Sequence, residues 1–113
     1  MVRYRRRIDI IADVLSSAAN GATKKTRIMY NANLSYTLLK RYLAETVGLG
    51  LLRFNNGGYE VTEKGFTFLR KYEVFSSRLS RVRRDMEMLM AEFRLLEDMC
   101  SLPAKTSVRV KKR

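Results

Sequence analysis

The stretch LLRFNNGGYEVTEKG, residues 51–65, decides the fold. Two short runs rich in strand-forming residues, 51–54 and 59–62, flank the tip Asn55-Asn56-Gly57-Gly58. Asn-Gly is favoured in tight hairpin turns because both central residues of such a turn need a positive φ. The stretch therefore predicts a β-hairpin.

A long helix is predicted directly after this hairpin. Thr62 suits the N-cap, and Glu63 follows in the first turn, where the helix dipole favours an acid. Gly65 is expected to weaken the first turns, and Ser101 and Pro103 to end the helix. At about 1.5 Å per residue, this helix is longer than a domain of this size.

Three shorter helical segments are predicted before the hairpin. Apolar residues at helical spacing begin at Ile8 and continue until Asn20-Gly21, a left-handed stop signal. A second helix is predicted from Lys25 to Tyr30 or Asn31. A third is capped by Asn33 or Ser35.

The order of these elements indicates the fold. Two helices joined by a short turn form a helix-turn-helix, and Thr23 before them is predicted to add a short edge strand. Helix, strand, helix, helix, hairpin and long helix follow one another as in a winged helix, with the hairpin as the wing. We therefore predict a mainly α fold, an α+β winged helix-turn-helix with a long C-terminal coiled-coil helix. The predicted parts are a basic N-terminal arm (1–7), the winged helix-turn-helix domain (8–66), the coiled-coil dimerisation helix (67–100) and a basic disordered tail (101–113).

The distribution of charge indicates a polyanionic partner. The 113 residues carry a net charge of +12. Residues 1–72 hold 13 Lys/Arg against 5 Asp/Glu, residues 73–100 hold 5 against 6, and residues 101–113 hold 5 against none. The long helix is thus nearly neutral between two basic parts. Such a balance favours nucleic acid or an anionic membrane surface.

Residues suited to catalysis are scarce. The sequence has no His and a single Cys, Cys100, and it lacks a Walker-type loop and Cys/His metal spacing. We therefore expect no enzyme, no cofactor, no metal site and no small-molecule ligand. No run reaches the roughly 18 apolar residues of a membrane span, and no signal-type apolar core follows the first residues. A cytoplasmic, nucleoid-associated location is expected.

The third helix is the best candidate for reading DNA. Its apolar residues, such as Leu38 and Leu39, face inward, which leaves a polar outer face. An α-helix fits the major groove of B-DNA, and residues near its N-terminus reach base edges. The alternative is a solvated face on an ordinary helix, which the turn before it and the hairpin after it disfavour. The candidate DNA-binding residues here are Ser35, Tyr36, Thr37, Lys40 and Arg41.

Three further groups are candidates for contact with the DNA backbone. For the wing, the alternative is a plain turn in which Asn-Gly is favoured for backbone reasons alone. For the N-terminal arm, the alternative is a segment that only keeps the chain soluble. In the wing the candidates are Arg53, Asn55 and Asn56. At the start of the second helix they are Lys24, Lys25 and Arg27. In the arm they are Arg3, Arg5, Arg6 and Arg7, which suit phosphate contact or entry into a minor groove.

Apolar residues from Phe68 to Cys100 repeat at alternating steps of four and three, with no Pro or Gly between them. Such a heptad seam has to meet another helix, and left exposed it would promote aggregation. The alternative, folding back onto the domain, is expected only for the first turns, at Phe66 and Leu69. We therefore predict a homodimer through a coiled coil. The predicted dimerisation residues are Tyr72, Phe75, Leu79, Val82, Met86, Leu89, Phe93, Leu96 and Cys100.

Charge along the seam suggests a direction. The first half is rich in Arg and the second half in acids, so antiparallel pairing brings opposite charges together. In a parallel coil Cys100 would instead face its twin and could form a disulfide. The residues concerned are Arg78, Arg81, Arg83 and Arg84 in the first half, and Glu87, Glu92, Glu97 and Asp98 in the second.

Several stretches resemble the archaeal winged-helix DNA-binding proteins of about ten kilodaltons, chromatin- or regulator-like, that dimerise through an antiparallel coiled coil. The most specific is Ile28-Met29-Tyr30-Asn31-Ala32-Asn33-Leu34-Ser35-Tyr36. The resemblance covers about residues 6–100 and implies a dimer that binds double-stranded DNA through its third helix and wing. The other matching stretches are Ile8 to Leu15, Leu38 to Leu43, Gly50 to Leu52 and Tyr59 to Gly65.

The function expected from the sequence is a dimeric protein that binds double-stranded DNA, either a transcriptional regulator or an architectural chromatin protein. The sequence does not choose between these two. A protein–protein interaction module, with a winged-helix fold and a coiled-coil docking site, is the alternative. Binding to RNA or to a membrane surface is a third class.

Overall fold

The computed structural model describes residues 5–101 and 103. Arg3 and nearly all of the predicted basic tail lie outside the described residues. The order of elements confirms the predicted mainly α winged helix, with a two-stranded antiparallel wing and a long last helix. Within the described residues the elements are α1 (Arg7–Ser17), α2 (Lys25–Asn31), α3 (Tyr36–Gly48), β1 (Leu52–Asn55), β2 (Gly58–Val61) and α4 (Glu63–Ser101).

The chain divides into two compact units between Phe75 and Ser76. The first, called the head below, holds α1, α2, α3, the wing and the start of α4. The second, called the seam segment, holds the rest of α4 from Ser76 onward. Among the described residues, no helix is both long enough and apolar enough to cross a bilayer.

Local signals set the ends of the helices. The Oγ of Ser35 accepts a hydrogen bond from the backbone N–H of Leu38 at 3.2 Å, so Ser35 and not Asn33 caps α3. Asn33 instead adopts a φ of 55° in the turn between α2 and α3. Thr62 precedes α4, and its Oγ1 accepts from the N–H of Gly65 at 3.1 Å.

The wing closes with a tight turn. Asn55 pairs with Gly58, and the two residues between them, Asn56 and Gly57, have φ values of 53° and 78°. Two successive positive φ angles are typical of a type I′ turn. Each strand therefore extends one residue closer to the tip than the strand-forming runs predict.

The predicted edge strand is present as a single bridge. Thr23 and Tyr59 exchange two backbone hydrogen bonds of 2.8 Å. Gly58 permits this approach, because a Cβ there would lie 2.8 Å from the backbone N of Thr23. The wing is thereby attached to the segment that leads into α2.

The apolar core of the head lies among the three short helices and the base of the wing. Leu15, Ile28, Leu39 and Leu52 are its largest fully buried apolar side chains. Phe68 and Leu69 of α4 pack against this core. The expectation for Leu69 is therefore confirmed, whereas Phe66 is 38% exposed.

Candidate nucleic-acid interface

Five basic side chains of the helix-turn-helix are exposed and carry no ion pair among the described residues. Lys24 and the first turn of α2 supply three of them, and α3 supplies two. Among the described residues, every ion pair of the head joins other side chains. We call these five residues the α2–α3 cations: Lys24, Lys25, Arg27, Lys40 and Arg41.

Four carboxylates of the head are held by other arginines. The distances from nitrogen to oxygen are 2.7, 3.1 and 2.6 Å for the Arg5–Asp13, Arg6–Asp9 and Arg53–Glu60 pairs. Arg7 pairs with Glu45 of α3, its Nε donating at 2.7 Å. These four acids therefore neutralise Arg5, Arg6, Arg7 and Arg53, and none of them pairs with an α2–α3 cation.

Arg5 of the arm is one of the arginines whose charge is neutralised within the chain. Its guanidinium donates to the carboxylate of Asp13 and also to the carbonyls of Ala32 and Asn33, at 2.8 and 3.0 Å. These carbonyls belong to the turn between α2 and α3. Arg5 thus attaches the arm to the helix-turn-helix, so its predicted phosphate contact competes with a structural one.

Asp9 is the centre of a second network. It is 9% exposed and accepts hydrogen bonds from the backbone N–H of Arg6 at 2.8 Å and from the Tyr72 hydroxyl at 2.6 Å. The Arg6 guanidinium donates to it and lies 5.6 Å from the ring centroid of Phe75. The Arg6 side chain, helped by Tyr72, holds the pKa of Asp9 well below its usual range despite burial, and the bond to Asp9 raises the pKa of Tyr72.

Two predicted dimerisation residues therefore contact the head of their own chain. The Tyr72 hydroxyl donates a hydrogen bond to Asp9, and the guanidinium of Arg6 lies over the ring of Phe75. The hydrogen bond between Asp9 and Tyr72 joins residues 63 positions apart in the sequence. No local sequence pattern predicts such a contact. Sequence reasoning missed it for that reason.

The predicted wing residues surround one carboxylate. Arg53 and Asn55 both donate to the same oxygen of Glu60, at 2.6 and 3.1 Å. The Arg53 bond, followed by the Asn55 bond, lowers the pKa of Glu60. The charge of Arg53 is therefore compensated, while Asn56 lies exposed in the turn.

Near the start of α3, the side chains of Tyr36 and two cations come together. The Nζ atoms of Lys25 and Lys40 lie 5.8 and 5.6 Å from the centroid of the Tyr36 ring. Thr37 and Arg41 are also exposed, whereas the hydroxyl of Ser35 is engaged in the helix cap. Sequence reasoning missed two aromatic neighbours on the wing, Phe54 and Tyr59, whose rings lie 5.1 Å apart.

The rest of the predicted seam lies in the seam segment. Leu79 is half-buried, and Cys100 is an exposed free thiol. The other seam residues are between 53 and 61% exposed within the single chain, namely Val82, Met86, Leu89, Phe93 and Leu96.

No group of three or more His, Cys, Asp or Glu side chains among the described residues is arranged to hold a metal ion.

A family model described as winged helix-turn-helix matches residues 4–80. The chain belongs to the winged helix-turn-helix family. Two proteins of Methanocaldococcus jannaschii are similar to it in sequence. MJ0290 is 36% identical over 69 residues, which cover 61% of this chain and 33% of that protein. MJ0287 is 33% identical over 75 residues, which cover 65% of this chain and 77% of that protein.

The fold is also similar to a solved archaeal structure. Sso10a-2, a DNA-binding protein from Sulfolobus solfataricus, matches with a TM-score of 0.69 and 26% identity, covering 77% of this chain and 95% of that one. The resemblance to archaeal winged-helix proteins is thereby confirmed. This chain matches only about a third of the length of MJ0290.

Proposed function

We propose that this winged helix-turn-helix protein is a homodimer that binds double-stranded DNA, with α3 in the major groove and the wing against the backbone. The observation that carries the proposal is the sorting of charge within the head. Its ion-paired carboxylates pair with Arg5, Arg6, Arg7 and Arg53, and the α2–α3 cations have no such partner among the described residues. The similar protein Sso10a-2 is itself a DNA-binding protein.

Unpaired cations on a helix-turn-helix suit phosphate contacts. Arg and Lys that meet phosphates release counterions from DNA, and this release supplies much of the binding free energy. Lys40 and Arg41 lie one turn into α3, close to the end that reaches base edges in this class of domain. The α2–α3 cations therefore orient the head on the duplex, and Tyr36 and Thr37 lie where sequence would be read.

The wing and the arm contribute less charge than the sequence predicts. Arg53, Arg5, Arg6 and Arg7 each bind a carboxylate of the same chain. A phosphate would have to displace that carboxylate. We therefore assign the main electrostatic contact to α2 and α3, with Asn56 at the tip of the wing as a backbone contact.

Dimerisation is proposed through the seam segment. Its apolar residues at heptad positions are more than half exposed from Val82 to Leu96, which is costly for a helix left alone in water. A second copy offers the same stripe, and antiparallel pairing places the Arg-rich half against the acidic half. Since Tyr72 and Phe75 contact the head, we place the start of the dimer contact at Leu79.

A transcriptional regulator and an architectural chromatin protein differ in how strongly they prefer one DNA sequence. A regulator is expected to favour one DNA sequence over random duplex by about 10³-fold or more, whereas an architectural protein is not. Selection of bound sequences from a random duplex pool distinguishes the two. Enrichment of one motif indicates a regulator.

Removal of two α2–α3 cations tests the proposal. The double variant Lys40→Ala/Arg41→Ala is expected to bind random duplex DNA at least about tenfold more weakly in a gel-shift assay, because two phosphate contacts are lost. The control Arg70→Ala/Lys71→Ala removes the same charge from exposed positions of α4 that belong neither to the α2–α3 cations nor to the heptad seam. Equal losses in both variants would contradict the assignment of α3, and full affinity in the first would exclude it.

A further inference from the structure

A groove between the start of α2, α3 and the wing has an aromatic and basic lining. One half, of about 400 Å³, contains Tyr36 and Lys40, and the other half, of about 520 Å³, contains Lys24. Lys25, Phe54 and Tyr59 line both halves, so the two lie side by side and share these three side chains. No carboxylate is among the described residues that line either half.

Two aromatic rings of this groove, those of Phe54 and Tyr36, are more than half exposed to solvent. Phe54 is 63% exposed and Tyr36 is 54% exposed. The Tyr59 ring meets Phe54 edge-on, at an interplanar angle of 68°, which leaves a face of Phe54 uncovered. An apolar ring exposed to water on a strand of a short hairpin, in a groove lined by three lysines, indicates a binding surface.

Two of the lysines of the groove lie beside the ring of Tyr36. The Nζ atoms of Lys25 and Lys40 lie on the Tyr36 ring, 5.8 and 5.6 Å from its centroid. A groove that combines stacking rings with ammonium groups is how proteins hold single strands: bases stack on the rings and phosphates follow the cations.

An aromatic face has no suitable partner in regular duplex DNA. Paired bases are stacked on one another and offer only their edges in the grooves. A ring reaches the face of a paired base only by wedging between base pairs, which costs unstacking energy, whereas an unpaired base can lay its face on Phe54 or Tyr36 without that cost. We propose that this groove binds unpaired DNA, one base stacking on Phe54 and Tyr36 while its flanking phosphates meet Lys25 and Lys40. The inference rests on the proposed function, since the same face of the head approaches DNA.

The test compares three fluorescent probes with the full chain: a random duplex, the same duplex with a central bulge of unpaired thymines, and one of its strands alone. Fluorescence anisotropy at constant salt gives the three affinities. The bulged duplex is expected to bind about tenfold more tightly than the perfect one, the effect expected of one stacked base. Equal binding of the isolated strand would identify free single strands as a ligand, and binding of the bulge alone would identify distorted duplex; both support the groove.

The variant Phe54→Leu keeps apolar bulk but removes the ring, and it is expected to abolish the preference for the bulge while changing perfect-duplex affinity less than about twofold. If Phe54→Leu disturbs the wing, Tyr36→Leu serves instead; because Tyr36 also lies where α3 would read the duplex, its readout is the ratio of bulged to perfect-duplex affinity, which is expected to fall to about one. The matched control is Tyr30→Leu, which removes a ring of α2 that is 85% exposed and outside the lining of the groove.

The possible results separate this inference from the function on which it rests. Equal affinity of the unaltered chain for bulged and perfect duplexes would overturn the groove proposal and leave duplex binding intact. A preference that persists in both Phe54→Leu and Tyr36→Leu would do the same. Binding of the bulge or the single strand without binding of the perfect duplex would instead overturn the proposed function and support the groove.

Discussion

Asp9 makes the stability of the head depend on pH. Its pKa is lower in the folded chain than the ordinary value of about 3.9, so the ionised form stabilises the head above that pH. This contribution is lost as pH falls from about 4 toward the lowered pKa. The raised pKa of Tyr72 acts in the other direction, since its contribution is complete below about 10 and is lost as pH rises further.

The variant Asp9→Asn is expected to lower the free energy of unfolding at neutral pH by about 2 kcal/mol, because hydrogen bonds to a charged group are replaced by weaker ones. It should also flatten the fall in stability below about pH 4. Urea unfolding at a series of pH values measures both effects. The control Asp13→Asn breaks a pair whose carboxylate is 45% exposed, so its loss should stay below about 1 kcal/mol. Equal losses in the two variants would contradict the role given to Asp9.

Gly65 shows how packing overrides helix propensity. Propensity alone predicts that Ala here would stabilise α4 by about 1 kcal/mol. A Cβ at this buried position would instead collide with the carbonyl oxygen of Leu51 and lie 2.6 Å from Cγ1 of Val61. Glycine is what allows the first turn of α4 to lie against the base of the wing.

Gly65→Ala is therefore expected to destabilise the head by about 1–3 kcal/mol through overpacking. Gly48→Ala, also in a helix, is the matched control, because a Cβ at Gly48 meets nothing within 4 Å. It should leave stability unchanged or raise it by up to about 1 kcal/mol. Thermal denaturation compares the two, and a Gly65→Ala protein as stable as the Gly48→Ala one would refute the packing argument.

Local sequence signals were sufficient for α2, α3 and the hairpin, whereas α1 ends at Ser17, before the predicted stop at Asn20-Gly21. The bounds of α2, the end of α4 at Ser101 and the Asn-Gly turn follow from spacing, capping and turn chemistry, which act over a few residues. The contacts of the arm did not follow from them. Arg7 meets Glu45 over 38 positions and Arg5 meets Asn33 over 28, and the tertiary fold alone decides such pairs. The site residues predicted in α2 and α3 are exposed, whereas Arg5, Arg6, Arg7 and Arg53 are ion-paired.

The wing offers a test of that ion pairing. Since Glu60 holds Arg53, replacing it by Gln should free the guanidinium for a phosphate. We expect Glu60→Gln to bind duplex DNA a few-fold more tightly and to steepen the salt dependence by about one unit. Glu87→Gln, which removes the same charge from an exposed position of the seam segment, is the control. Unchanged binding by Glu60→Gln would mean that the wing does not contribute Arg53 to the interface.

At the scale of the whole molecule, the seam determines whether one chain acts alone. Leu89 is 59% exposed and lies in the middle of the stripe, so Leu89→Asp is expected to give monomers by sedimentation or light scattering. The control Met88→Asp places the same charge on a neighbour that is 66% exposed and off the heptad positions, and it should remain a dimer. A Leu89→Asp dimer would place the contact elsewhere.

The distance between the two Cys100 residues of the dimer reports whether the helices pair in parallel or antiparallel. Spin labels on the two Cys100 thiols would lie several tens of ångströms apart in an antiparallel coil, because they are then at opposite ends of it. Short distances, or a disulfide between the two chains, would indicate a parallel coil.

Contact between the α2–α3 cations and DNA phosphates is measured by the salt dependence of duplex affinity. For the unaltered chain, a plot of log affinity against log salt concentration should fall with a slope of several units, and Lys40→Ala/Arg41→Ala should reduce that slope by about one to two units. No binding of random duplex at about 50 mM salt, or a slope that this variant leaves unchanged, would contradict the account.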